Sequence, residues 1–180
     1  MKIYLVRHNS VDVPKSTCYG QTDVPLKSTF PQEAAIVKEK LENLFPCKSV
    51  LDAVYTSPLS RCTRLAEFCG YGWAEREPRV LELSFGEWEM QDYNHIQDPH
   101  LKVWFQDWIN VRPTGGESFM DQFNRVSAFF QDLKQSGKER VLIFCHGGVL
   151  ACAKVLSGRL EPKNAFSELD DYGSVIEIEI

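Results

Sequence analysis

The stretch "YLVRHNS", residues 4–10, runs three apolar residues with strand character, Tyr4, Leu5 and Val6, straight into Arg7 and His8. The run from Lys2 to Val6 is continuous rather than alternating, which predicts a strand buried on both faces, as in a parallel sheet covered by helices. A cation and an imidazole then stand where that strand leaves the core. In open sheets of this kind ligands bind beyond the carboxyl ends of the strands. The fold and the search for a site therefore start from the same seven residues.

Working outward, "LDAVYTS" (51–57) predicts a second strand and "RVLIFC" (140–145) another buried one. "SVIEIEI" (174–180) alternates with period two, the pattern of an edge strand with one polar face. Between them, Ala34, Val37, Leu41, Leu44 and Phe45 recur at steps of three and four, predicting an amphipathic helix from Pro31 to Phe45 that Pro46 ends. A second helix is expected from Pro58 through Leu59, Leu65, Ala66 and Phe68 to Gly70. A third carries Phe119, Phe123, Val126, Phe130 and Leu133 on one stripe, and "GGVLACAKVLSG" (147–158) supplies a fourth. Residues 71–113 are less regular, although "HLKVWFQDWI" (100–109) has helical character. Strands alternating with helices predict an α/β fold, a three-layer α/β/α sandwich with a mostly parallel sheet.

The 180 residues suit one domain, 1–180, with 71–116 as a small cap-like insertion. Apolar residues make up 43% of the chain and charged residues 25%, enough to bury a core. A net charge of −5 argues against a nucleic-acid surface but leaves room for a small anion, because a few arginines in a cleft create a local positive field. No signal-peptide pattern precedes the first charge and no apolar run is long enough for a membrane span, so the expected compartment is cytoplasmic. The six cysteines (18, 47, 62, 69, 145, 152) form no CxxC pair and are expected to be reduced, mostly buried thiols. The oligomeric state is open, a homodimer being one option.

The predicted strand ends supply Arg7, His8, Arg61 and His146. Taken singly, an arginine after a strand is ordinarily solvated and a histidine near a core ordinarily packs. Together they suit a tetrahedral dianion, since guanidinium groups donate paired hydrogen bonds to phosphate oxygens and stay charged. Gly147 and Gly148, opening a helix directly after His146, let the backbone approach such an anion. A neutral imidazole at such a site can attack phosphorus in line, with a carboxyl group protonating the leaving oxygen. "VLELSFGEWE" (80–89) offers Glu82, Glu87 and Glu89 for that task, and composition alone does not choose among them.

Other phosphatase chemistries lack their residues. No cysteine has an arginine six places on; after Cys145 that place is Ala151. There is no DxDx[TV] motif and no Gly-x4-Gly-Lys-[Ser/Thr] loop, and "GESFM" is not a GxSxG elbow. His95 and His100, near Asp92 and Asp98, fit no common ligand spacing and read as a surface loop, so neither metal nor cofactor is expected.

In this order, "LVRHNS", "YTSPLSRCTRLAE", "LELSFGEWE" and "FCHGGVLA" resemble the histidine phosphatase (phosphoglycerate mutase-like) superfamily, from residue 3 to about 155. The resemblance implies His8 as nucleophile, Arg7 and Arg61 as phosphate-binding arginines, His146, in protonated form, as the second histidine, and Glu82 as proton donor. Glu87 and Glu89 are then structural. "CYGQTDVPL" (18–26) is similar to the alpha-ribazole phosphatase branch, which implies hydrolysis of alpha-ribazole 5′-phosphate in assembling the lower ligand of cobalamin. A mutase, a phosphatase for another small phosphorylated metabolite, and a non-catalytic phospho-ligand module remain as alternatives.

Two positions depart from the family pattern. Asn9 stands where glycine is common, and either tolerates a left-handed backbone or aims its amide at phosphate. Phe30, in "PLKSTF", also replaces a glycine. Tyr19, Gln21 and Thr22 are candidates to touch the leaving group, or else only shape their loop. Trp73, Trp88, Trp104 and Trp108 are expected to pack rather than to line a pocket.

Overall fold

The computed structural model describes residues 1–180. Five strands, β1 (Lys2–Arg7), β2 (Ala53–Thr56), β3 (Glu75–Arg76), β4 (Arg140–Cys145) and β5 (Val175–Glu179), form one sheet in the order β3-β2-β4-β1-β5. β1, β2, β3 and β4 pair in parallel, and β5 joins β1 antiparallel at the edge. The period-two pattern of β5 is explained there: Ile178 is buried while Glu177 turns outward to an ion pair with Lys2 at 2.7 Å.

The helices are α1 (Phe30–Leu44), α2 (Ser60–Phe68), α3 (Leu101–Gln106), α4 (Phe119–Gln135) and α5 (Gly147–Leu156). Alternate residues of the central strands feed opposite faces. Ile3, Leu5, Val141 and Ile143 join α4 and α5 in one buried cluster, and Tyr4, Val6, Leu142 and Phe144 join α1 and α2 in the other. This is a three-layer α/β/α sandwich, and the unbroken apolar runs in β1 and β4 follow from burial on both faces.

The boundaries differ from the sequence reading in instructive ways. β2 begins at Ala53, because Asp52 turns aside to accept hydrogen bonds from the amides of Glu139 and Arg140. α2 begins at Ser60, with Leu59 extended in front of it. β3 escaped notice because it has two exposed residues and no apolar pattern. On α4, Phe129 and Gln122 are fully enclosed and Phe123 only half-buried. Leu44 and Phe68, counted on buried stripes, are exposed, lying at the last turns of their helices where little packs over them. Phe30 is buried, edge-on to Phe68 at 5.7 Å and under the Arg64 guanidinium.

The segment between β3 and α4 is mostly irregular loop, with three short 3-10 turns and α3. It has its own buried cluster of Leu83, Phe85, Trp88, Ile96 and Trp104, joined by Cys18 from the loop after β1. α4 begins in a capping box in which Ser118 and Asp121 exchange side-chain-to-backbone hydrogen bonds. Cys47 is exposed and the other five cysteines are buried, all as free thiols. No helix is long and apolar enough to cross a membrane.

Candidate active site

β2, β4 and β1 lie side by side and point the same way, so their carboxyl ends form one row. Arg7 and His8 leave β1, His146 leaves β4, and Arg61 rises from the first turn of α2 just after β2. The backbone of His8 is pinned on both sides, its amide donating to Cys145 O at 3.0 Å and its carbonyl accepting from Gly173 N at 3.2 Å. The rings of His8 and His146 come within 5.2 Å, centroid to centroid. His8 is 2% exposed, and Arg61 and His146 not at all.

Hydrogen bonds assign the imidazole tautomers. His8 Nδ1 lies 2.7 Å from the Asn9 carbonyl, which can only accept, so Nδ1 carries the proton and Nε2 keeps its lone pair. Burial, then the Arg61 and Arg7 charges, hold His8 well below the ordinary imidazole range, and it is neutral at neutral pH. His146 accepts at Nδ1 from Arg61 Nε (3.3 Å) and donates from Nε2 to Ser57 Oγ (2.7 Å). Burial and the nearby Arg61 and His8 hold this imidazole neutral too. The protonated His146 expected from sequence therefore requires the charge of a bound dianion; the protein's own groups oppose it.

Arg61 donates to the carbonyls of Gly20 and Thr22 as well as to His146. The Arg7 guanidinium lies so close to Gly147 that a Cβ there would come within 3.1 Å of Cζ. On its other side it faces the Tyr172 ring at 4.2 Å, and Nη1 donates to Asp170 O. Arg7 Nε is buried with no partner, a donor left over for a ligand.

Glu82 follows the 3-10 turn Pro78–Val80. Its Oε1 accepts from Leu83 N (2.9 Å) and Gln122 Nε2 (3.0 Å), and its Oε2 from Gly148 N (3.3 Å). Two donors saturate Oε1, so a proton on this carboxyl belongs on Oε2. The Glu82 backbone carbonyl is held by Arg125 Nη2 (2.9 Å) and Gln21 Nε2 (3.1 Å). Gly148 has no room for a side chain, since a Cβ would collide with the Glu82 and Gln122 head groups.

A cavity of about 550 Å³ opens from Arg7, His8, Tyr19, Glu82 and Gly148 onto a wall that includes Leu83, Phe85, Tyr93, Trp104, Phe105, Trp108 and Phe166. Trp104 and Trp108 line it while also packing in or against the cluster that holds Trp88, whereas Trp73 is exposed, against the packing expectation. Of Asn9, Tyr19, Gln21, Thr22 and Gly147, only Tyr19 lines the cavity. Gln21 and Thr22 are taken up elsewhere: their amides and the Thr22 hydroxyl all go to the Glu89 carboxylate. Burial pushes Glu89 up, and the bonds from Thr22, Gln21 and Phe85 outweigh it, leaving the group below the usual carboxylate range. Asn9 has no positive φ, so backbone strain does not explain it; it is buried and gives its carbonyl to His8. His95, His100, Asp92 and Asp98 are tied into loop hydrogen bonds, Asp98 for example to Trp88 Nε1, Thr114 Oγ1 and His100 N.

Gln122, Arg125 and Tyr172 were not anticipated. Ser57 closes the predicted strand "LDAVYTS" and stands directly after Thr56, the last residue of β2. Tyr172 offered no signal, because only folding brings its loop to Arg7.

A family model described as the histidine phosphatase superfamily (branch 1) matches residues 3–180. The chain belongs to this superfamily. Among relatives of this histidine phosphatase, an adenosylcobalamin/alpha-ribazole phosphatase from Salmonella typhimurium is 30% identical over 159 residues, 84% of this chain and 76% of the relative. A putative phosphoserine phosphatase 2 from Hydrogenobacter thermophilus is 28% identical over 187 residues, covering 98% and 88%. The crystal structure of the alpha-ribazole phosphatase from Shigella flexneri superposes with a TM-score of 0.85 at 25% identity, over 100% of this chain and 91% of that one. These matches support phosphatase activity on a phosphorylated small molecule.

Proposed function

We propose that the protein is a metal-independent phosphomonoesterase that works through a phosphohistidine on His8, with alpha-ribazole 5′-phosphate as its substrate. The observation that carries the reaction is the tautomer of His8: a neutral ring, its proton fixed on Nδ1 by Asn9 O, keeps Nε2 available as the nucleophile. Nε2 attacks phosphorus as the P–O bond to the leaving group breaks, and Asn9 O steadies the positive charge that develops on the ring. Glu82 delivers a proton from Oε2 to the departing oxygen, then takes one from the water that hydrolyses the N–P bond. Arg7 and Arg61 offset the charge on the equatorial oxygens, and the dianion in turn favours a protonated His146.

The cavity wall supports the choice of substrate. Apart from Arg7, His8 and Glu82 its lining has no charged side chain that would pair with the ammonium and carboxylate of phosphoserine or the carboxylate of phosphoglycerate. An uncharged aromatic base is accommodated by Phe85, Trp104, Trp108 and Phe166 through burial and ring contact. Residues 71–116, on this reading, are a cap on a single domain, supplying most of that wall.

The test is kcat/KM in EDTA for alpha-ribazole 5′-phosphate, phosphoserine, 3-phosphoglycerate and nitrophenyl phosphate, with rapid quench for an acid-labile phosphoenzyme. A strong preference for the ribazole ester is expected. Equal rates on all four would discard the substrate, and phosphate binding with no hydrolysis would discard the reaction.

A further inference from the structure

The two phosphate-binding groups farthest from solvent are covered. Arg61 and His146 are wholly buried and neither lines the cavity. The cover consists of two tyrosines from separate loops. Tyr19, just after Cys18, has its ring under Arg61 at 5.6 Å, and Tyr172, just before β5, has its ring under Arg7 at 4.2 Å. Each ring sits on one of the two arginines. The Tyr172 ring also lies 5.4 Å from His8, and the two hydroxyls meet at 2.7 Å. Burial raises the pKa of the Tyr19 phenol, which keeps it a hydrogen-bonding hydroxyl.

We propose that Tyr19 and Tyr172 form a clasp over the phosphate site that parts only for an ester whose leaving group fills the aromatic cavity, making the pair a determinant of specificity. This deepens the phosphomonoesterase reading and rests on it. A dianion cannot pair with Arg61, or with the covered face of Arg7, while the rings lie on them. Both loops are anchored beside the moving part. The 18–22 loop is held by Arg61 through Gly20 and Thr22, and the 170–173 loop by the Lys154–Asp170 ion pair (2.7 Å) and by Gly173, at φ +71°. Opening thus falls to the two side chains and costs their mutual hydrogen bond.

Tyr19 is the link to the leaving group, because it belongs both to the clasp and to the cavity lining. An aromatic group bound against Phe85 and Trp108 presses on Tyr19 and offsets the cost of opening with remote binding energy. Inorganic phosphate or a small ester has no such contact and bears that cost unaided. The clasp therefore suppresses inhibition by free phosphate and hydrolysis of short esters.

The variants Tyr19→Phe, Tyr172→Phe and their double keep both rings and remove the hydroxyl pair. Two quantities are read: the Kd of inorganic phosphate by calorimetry, and the ratio of kcat/KM for alpha-ribazole 5′-phosphate over phosphoserine. Each single variant should bind phosphate roughly fivefold more tightly, the equivalent of about 1 kcal/mol for one hydrogen bond, and lower the ratio by a similar factor. The double variant should match the singles, because either substitution removes the same bond. Weaker phosphate binding would make the hydroxyls ligands and overturn the clasp, as would unchanged affinity or additive effects in the double. If the wild type hydrolyses no ester while the phosphate affinities follow the expected pattern, the clasp stands and the proposed reaction falls. Normal hydrolysis with invariant affinities has the opposite meaning.

Discussion

Beneath the cavity, Arg61 donates to two carbonyls and His146, and both nitrogens of His146 are bonded, whereas the wall is built of rings that ask only for apolar contact. The floor stands on the ends of three adjacent parallel strands. The wall is assembled from irregular loops, one 3-10 turn, α3 and the loop that carries Phe166. Positions at strand ends are fixed by the ladder to fractions of an ångström, which a reacting centre needs. A wall of aromatic side chains on loops can change its shape residue by residue without disturbing that ladder. The difference teaches that one scaffold can hold a constant reaction and vary what the phosphate is attached to.

Breaking the floor should have the largest effect. His8→Ala removes the proposed nucleophile, and a loss of turnover on the order of 10⁴-fold or more is expected in steady-state assays, with no phosphoenzyme trapped on quench. Full activity would remove His8 from the mechanism. Next comes the carboxyl that bridges floor and wall. Glu82→Gln should lower kcat on a poor leaving group by about 10²- to 10⁴-fold and on nitrophenyl phosphate far less, since a good leaving group departs unprotonated. Equal losses on both would mean that Glu82 is not the acid.

Changing the wall should be milder and of another kind. Phe105 lines the cavity yet is 60% exposed, so Phe105→Ala leaves the core intact. KM for the aromatic ester should rise roughly fivefold while kcat on nitrophenyl phosphate holds, the signature of lost binding at the wall alone. A matching fall in kcat on both esters would show that the two regions are not separable.

The last effect is on stability rather than on turnover, and concerns the buried imidazoles. His8 and His146 are both depressed well below the ordinary value of 6.5 by burial and neighbouring guanidiniums. In the unfolded chain they take up protons as pH falls through about 6.5, while the folded protein resists, so the unfolded state binds more protons in that window. The stability is fully present above the unfolded value and is lost as pH drops toward the folded ones, by about 1.4 kcal/mol per pH unit for each imidazole. Thermal melts from pH 7.5 to 5 should show the decline, and His146→Asn should flatten it. A melting temperature that does not change over this range would contradict the neutral assignment.

The parallel sheet was legible in the sequence because burial on both faces leaves an unbroken apolar run in β1 and in β4, a local pattern. The row of Arg7, His8, Arg61 and His146 was legible for a related reason, since a charged residue directly after such a run has few places to be except a strand end. β3 could not be read, having two exposed residues and no pattern of its own. Gln21 and Thr22 were drawn toward the ligand by their position near the first motif. Their destination, the carboxylate of Glu89, depends on a contact 67 or 68 residues away along the chain.

What the sequence determined by itself, then, was the order of strands and helices, the chemistry of their ends and the family they resemble, because each rests on periodicity or on residues close together in the chain. The tertiary structure alone decided which proton each imidazole carries, which oxygen of Glu82 has room for a proton, that Trp104 and Trp108 face a cavity, and that Tyr19 and Tyr172 meet over two arginines. Those features are set by distances between groups remote in sequence, and no local pattern encodes such a distance until the sheet has brought the loops together.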